Sequence, residues 1–141
     1  MNQSLQCVLQ LAKTQAILAR RFDSGLGGLG LQEFIILHTL SCASEQKMRR
    51  IDLANAIGFT ASGVTRLLLP MEKIGLVRSG EKSADARARY VAIAPGGKMK
   101  LHEAMERMEY LMQEIMPKCG MKDMRMISDF IREIGNVANK K

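Results

Sequence analysis

The sequence predicts a mainly α-helical domain carrying one small β-hairpin, and three observations lead there. Apolar residues recur at three- and four-residue spacing through most of the 141 residues, the period of an amphipathic helix. Only Leu76–Ala94 breaks that period, with Val77, Tyr90, Val91 and Ile93 on either side of a long polar, charged loop. Ile51–Gly97 then sets these parts in a definite order: two short helices meeting at a tight turn, followed by the hairpin. That is the order of a helix-turn-helix with a wing, a geometry that fits DNA.

Each element follows from local residues. Leu5, Val8, Leu9, Ala12, Ala16 and Ala19 predict a first helix over residues 3–21. The glycines of Asp23–Gly30 end it, because glycine favours turns over helix interiors. Leu31, Phe34, Ile35, Leu37 and Leu40 predict a second helix to Ser41, apolar on most faces and so buried between others. A short third helix covers Arg50–Ile57, with Gly58 as the left-handed turn residue behind it. Thr60 or Ser62 caps a fourth helix from Ala61 to about Ile74. Pro70 removes one backbone bond inside that helix and predicts a kink there.

Strands are expected at Leu76–Ser79 and Arg89–Ala94, after which Pro95 opens a long fifth helix over residues 96–116. Its stripe is Leu101, Met105, Met108, Met112, Ile115 and Met116. Pro117 and Gly120 break the chain before a sixth helix at 122–138, apolar along Met126, Ile127, Phe130, Ile131, Ile134 and Val137. A chain of this length forms a single domain, residues 1–141, with the reading lobe at about 31–95.

Charge is concentrated where the reader is expected. The net charge is +7. Residues 1–46 balance to zero, residues 47–94 carry nine basic against four acidic side chains, and residues 95–141 carry nine against seven. Positive charge there would displace phosphate counterions. Aromatic residues make up only 4% of the chain and tryptophan is absent, which argues against recognition by base stacking.

No apolar run approaches the ~20 residues of a membrane span, and polar residues interrupt the N-terminal stretch where a signal peptide would need its core. Cys7, Cys42 and Cys119 are odd in number and too scattered for a disulfide framework or a metal site. A cytoplasmic protein without cofactor, metal or membrane partner is expected.

Within the reader, short polar side chains at the start of the fourth helix are placed to reach phosphates and base edges of double-stranded DNA. These are Thr60, Ser62, Thr65 and Arg66, the last able to pair with a guanine edge or a phosphate. At the hairpin, Arg87 and Arg89 alternate with Ala86 and Ala88 along an extended chain. Lys47, Arg49 and Arg50 are either non-specific phosphate contacts or a solvated run.

Two stretches carry a family resemblance: Leu69-Pro70-Met71-Glu72-Lys73-Ile74-Gly75-Leu76-Val77, and Asp85-Ala86-Arg87 with Val91-Ala92-Ile93 and Gly97. They resemble the LE-x-x-GLV and D-x-R…V-x-L-T-x-x-G patterns of the MarR (multiple antibiotic resistance regulator) family, and the order of helices and wing extends the likeness over nearly the whole chain. Met71 stands for the usual Leu, Ile93-Ala94 for Leu-Thr, and Arg78 directly follows Val77. The resemblance implies that Arg87 enters the minor groove, braced by Asp85. It implies a homodimer through the first, fifth and sixth helices, here about 3–21 and 96–138. Such a dimer spans a pseudo-palindromic operator with its recognition helices about one turn, ~34 Å, apart. It further implies a transcriptional regulator, expected to be a repressor, released by a small aromatic or phenolic effector, with Phe34 and His38 near that site.

Two other functions compete: a thiol-based redox regulator using Cys7, and a winged-helix module for protein contacts without a DNA role. Gly25, Gly27 and Gly30 satisfy G-x-G-x-x-G, but a helix precedes them where a dinucleotide site needs a strand. His38 and His102 stand alone, and no nucleophile–base arrangement or carboxylate pair suggests an enzyme.

Overall fold

The computed structural model describes residues 2–79 and 89–140. Six helices and three short strands follow one another among them: α1 (Gln3–Gly25), α2 (Leu31–Cys42), β1 (Lys47–Arg49), α3 (Arg50–Ile57), α4 (Ala61–Lys73), β2 (Val77–Ser79), β3 (Tyr90–Ile93), α5 (Pro95–Ile115) and α6 (Met121–Ala138). A mainly helical fold with a small wing is therefore the observed one. The chain forms two compact units, Met1–Leu111 and Met112–Lys141.

In the first unit, the core gathers one face from each reader element. Ile36, Leu37 and Leu40 of α2 meet Leu53 and Ala54 of α3 and Val64, Leu68 and Met71 of α4, all at most 1% exposed. Val77, Val91 and Ile93 close it from the sheet side. Removing that much apolar surface from water, at about 25 cal/mol per Å², is the dominant force holding the helices at their angles.

Three elements depart from expectation. α1 runs to Gly25, not Arg21, because the chain needs a positive φ only at Gly27 (69°) and Gly28 (91°). Leu26 and Leu29, in the connection, are buried plugs of the core. The sheet has a third strand, since β1 pairs antiparallel with β3 (Lys47↔Ala92, Met48↔Val91, Arg49↔Tyr90) while β2 pairs with its other edge. Lys47-Met48-Arg49 alternates exposed, half-buried, exposed, but three residues are too short a run to read as a strand, so the pairing partner makes it one. On α5 the buried row is Gly97, Leu101, Ala104 and Leu111, which leaves Met105 exposed on a neighbouring face, while Met116 is exposed just past the helix end. α4 continues through Pro70 as one helix.

Two apolar faces are left exposed among the described residues. On α1, Leu5, Val8, Leu9 and Ile17 are between 43% and 51% exposed. In the second unit, α6 buries no residue, and Met126, Phe130 and Val137 are more than half exposed.

Candidate nucleic-acid interface

α4 is presented as a helix with one apolar and one polar side. Gly58 adopts the left-handed conformation (φ 75°), and both its N–H and that of Phe59 bond to the Ala54 carbonyl, ending α3 and turning the chain. Thr60 then caps α4, its hydroxyl accepting from the Gly63 N–H at 3.1 Å with Ser62 Oγ 3.3 Å away. Val64, Leu68 and Met71 face inward at helical spacing. Thr60, Ser62, Thr65 and Arg66 are all exposed, and Arg66 makes no ion pair with any described residue. The helix start thus offers hydroxyls and one cation on an open face.

The wing base is tied to this helix by bonds invisible in the sequence. Glu72, in the last turn of α4, accepts from the Ser79 N–H at 3.2 Å. Arg50, the first residue of α3, donates from Nη2 to Ser79 Oγ at 3.2 Å, and its backbone N–H donates to the Arg89 carbonyl at 2.9 Å. Arg50 Nε is buried and has no hydrogen-bond partner among the described residues. Arg50 is thus a strut between α3, the end of β2 and the residue that leads into β3. Of the predicted wing residues, Arg89 is exposed just before β3, while Asp85 and Arg87 lie outside the described residues.

The basic run before α3 is also engaged. Arg49 forms a two-pronged bond to Asp52, Nε–Oδ2 at 2.9 Å and Nη2–Oδ1 at 3.2 Å. That hydrogen bond, with the adjacent positive charge, holds the Asp52 carboxyl below the usual carboxylate range against a smaller opposing effect of desolvation. Lys47 pairs with Glu45 at 3.2 Å and lies 5.5 Å from the centre of the Tyr90 ring.

The other candidates occupy α1 and α2. Phe34 and His38 stack with ring centres 6.1 Å apart, and His38 Nε2 is 3.9 Å from Cys42 Sγ. Cys7 is exposed on α1. Neither Phe34 nor His38 lines the cleft of about 550 Å³ that opens between α1, α2, α4 and the α3–α4 turn. Its walls include Ala19, Ile35, Ile57, Phe59, Leu67 and Pro70, residues whose convergence only the folded chain reveals. Among the described residues no group of three or more His, Cys, Asp or Glu could hold a metal, and no helix is long and apolar enough to cross a membrane.

No protein-family model matches the chain. It is 21% identical over 98% of its length to the uncharacterised HTH-type transcriptional regulator YdgJ of Bacillus subtilis, covering 82% of that protein. Among solved structures, it superposes on the transcriptional regulator BldR of Sulfolobus solfataricus with a TM-score of 0.78 and 27% identity, over 94% of this chain and 99% of that one. Sco3205, a MarR-family regulator of Streptomyces coelicolor solved in complex with DNA, gives 0.83 and 17%, over 100% and 91%. An organohalide-sensing transcriptional regulator with 2,4-dichlorophenol bound gives 0.80 and 17%, over 96% and 81%. These relatives are described as transcriptional regulators, and with the geometry above the likeness gives this chain the winged helix-turn-helix fold that MarR-family regulators have.

Proposed function

We propose that this protein is a homodimeric DNA-binding transcriptional repressor that releases a pseudo-palindromic operator when a small aromatic effector binds. The observation that carries the reading is α4: a core-anchored helix whose exposed start offers Ser62, Thr65 and Arg66. Those groups read base edges and phosphates in the major groove, while Arg87, braced by Asp85, enters the minor groove beside Arg89. The net charge of +5 on residues 47–94 supports it, as does the DNA complex of Sco3205. The uncovered faces of α1 and α6 support dimerisation, and the phenol-bound relative supports an effector.

The test is gel retardation of genomic fragments by the full chain, followed by footprinting. Arg66→Ala is expected to weaken specific binding by about 1–3 kcal/mol and to relax preference at one position per half-site. If no fragment survives competitor DNA at physiological salt, the reading fails.

A further inference from the structure

The cleft against α4 has a charge character that specifies its ligand. Its charged lining residues are Asp23 and Glu33, and no Lys, Arg or His is among the described residues that line it. The two carboxylates sit at the head of α2. Asp23 Oδ1 accepts from the Leu31 N–H at 2.7 Å, and Glu33 Oε1 accepts from the Gly30 N–H at 2.8 Å. Free N–H groups at a helix start ordinarily attract an anion. Here the chain's own carboxylates already take two of them, the N–H groups of Gly30 and Leu31. An entering anion would meet two negative charges opposed only by neutral donors, whereas an entering cation would meet two carboxylates with no competing cationic side chain in the described lining. Apart from the neutral amides of Gln15 and Gln32, the other side chains of the wall are apolar, among them Ile35, Ile57, Leu67 and the Phe59 ring, and a cation gains further from an aromatic face. The volume, about 550 Å³, lies in the range of small-molecule sites, roughly 300–1,000 Å³.

We propose that this cleft binds a small lipophilic cation, so that the effector of this regulator is positively charged. The inference rests on the effector-responsive reading above and sharpens it. Because Leu67 and Pro70 belong to α4 and Phe59 to the turn that aims it, a ligand wedged there contacts the back of the recognition helix. It shifts DNA affinity to the extent that it prefers one orientation of α4 over another.

The experiment titrates the full chain by calorimetry with tetraphenylphosphonium and with tetraphenylborate, two ions of nearly the same shape and opposite charge. Undirected ion pairing with a chain of net charge +7 favours the borate. The cleft instead predicts phosphonium binding tighter by about tenfold or more. Asp23→Asn and Glu33→Gln keep an acceptor for each backbone N–H, so they are expected to preserve the thermal midpoint while weakening phosphonium binding several-fold. Ala19→Trp, which fills the cleft, is expected to abolish it. Phosphonium is expected to reduce retardation of the DNA fragments. Borate binding that equals or exceeds phosphonium binding overturns the proposal, as does phosphonium binding indifferent to all three variants. Retardation without ligand is measured in parallel: its absence sinks the DNA reading while the charge preference still reports on the cleft.

Discussion

At the scale of single residues, two side chains do more than their exposure suggests. Thr60 satisfies an otherwise orphaned N–H at the start of α4, so Thr60→Ala is expected to cost about 1 kcal/mol by urea denaturation, and Thr60→Ser much less. The sequence narrowed this cap to Thr60 or Ser62, since a hydroxyl soon after Gly58 and ahead of an apolar period has few other uses, and the fold selects Thr60. The Arg49–Asp52 pair also lies within three residues, yet the spacing alone left Arg49 open as a phosphate contact. The folded-state Asp52 pKa is depressed, so the pair stabilises the native state above the ordinary carboxylate pKa. That contribution is lost as pH falls through the depressed value. Asp52→Asn is therefore expected to be less stable than the parent at neutral pH, with the gap closing in acid. Chemical denaturation at both ends of that range checks it.

At the scale of elements, the junction between the wing and α5 shows why one glycine belongs where it does. A Cβ on Gly97 would run into the Leu76 carbonyl, and one on Gly96 would lie 2.8 Å from the Gly75 carbonyl. The Leu76 carbonyl also accepts from the Ala94 N–H at 3.0 Å, so it cannot withdraw freely. Gly97→Ala is expected to destabilise by about 1–3 kcal/mol, read as a lowered thermal midpoint. The Arg50–Ser79 strut makes a second prediction. Arg50→Met and Ser79→Ala, combined in a double-mutant cycle, are expected to couple by at least about 0.5 kcal/mol in stability. Additivity would reduce the strut to a surface contact. Nothing in the sequence shows this bond, because its partners lie 29 residues apart and each looks like an ordinary polar residue. β1 escaped for a related reason: its strand character comes from β3.

At the scale of the whole molecule, the apolar faces of α1 and α6 are too large and regular to be left to water. A second copy is the proposed cover. Leu9→Glu on α1 and Phe130→Glu on α6 are each expected to shift the protein to monomer by analytical ultracentrifugation. Each is also expected to abolish tight operator binding, because one recognition helix cannot hold two half-sites. A monomeric parent that still footprints two half-sites would contradict that arrangement.

The period of apolar residues, the positions of Gly58 and Pro95, a cap at Thr60 or Ser62, and the clustering of charge were enough to place every helix and the wing within a few residues. They also named the exposed face of α4, because helix caps, turns and amphipathic faces are local properties of a chain. What depends on residues distant in sequence meeting in space was decided by the fold. Folding made Arg50 a strut, gave β1 its partner, and turned the Phe59 ring, Leu67 and two helix-capping carboxylates into one cleft. Side-chain convergence of that kind is set by packing, which no local pattern encodes.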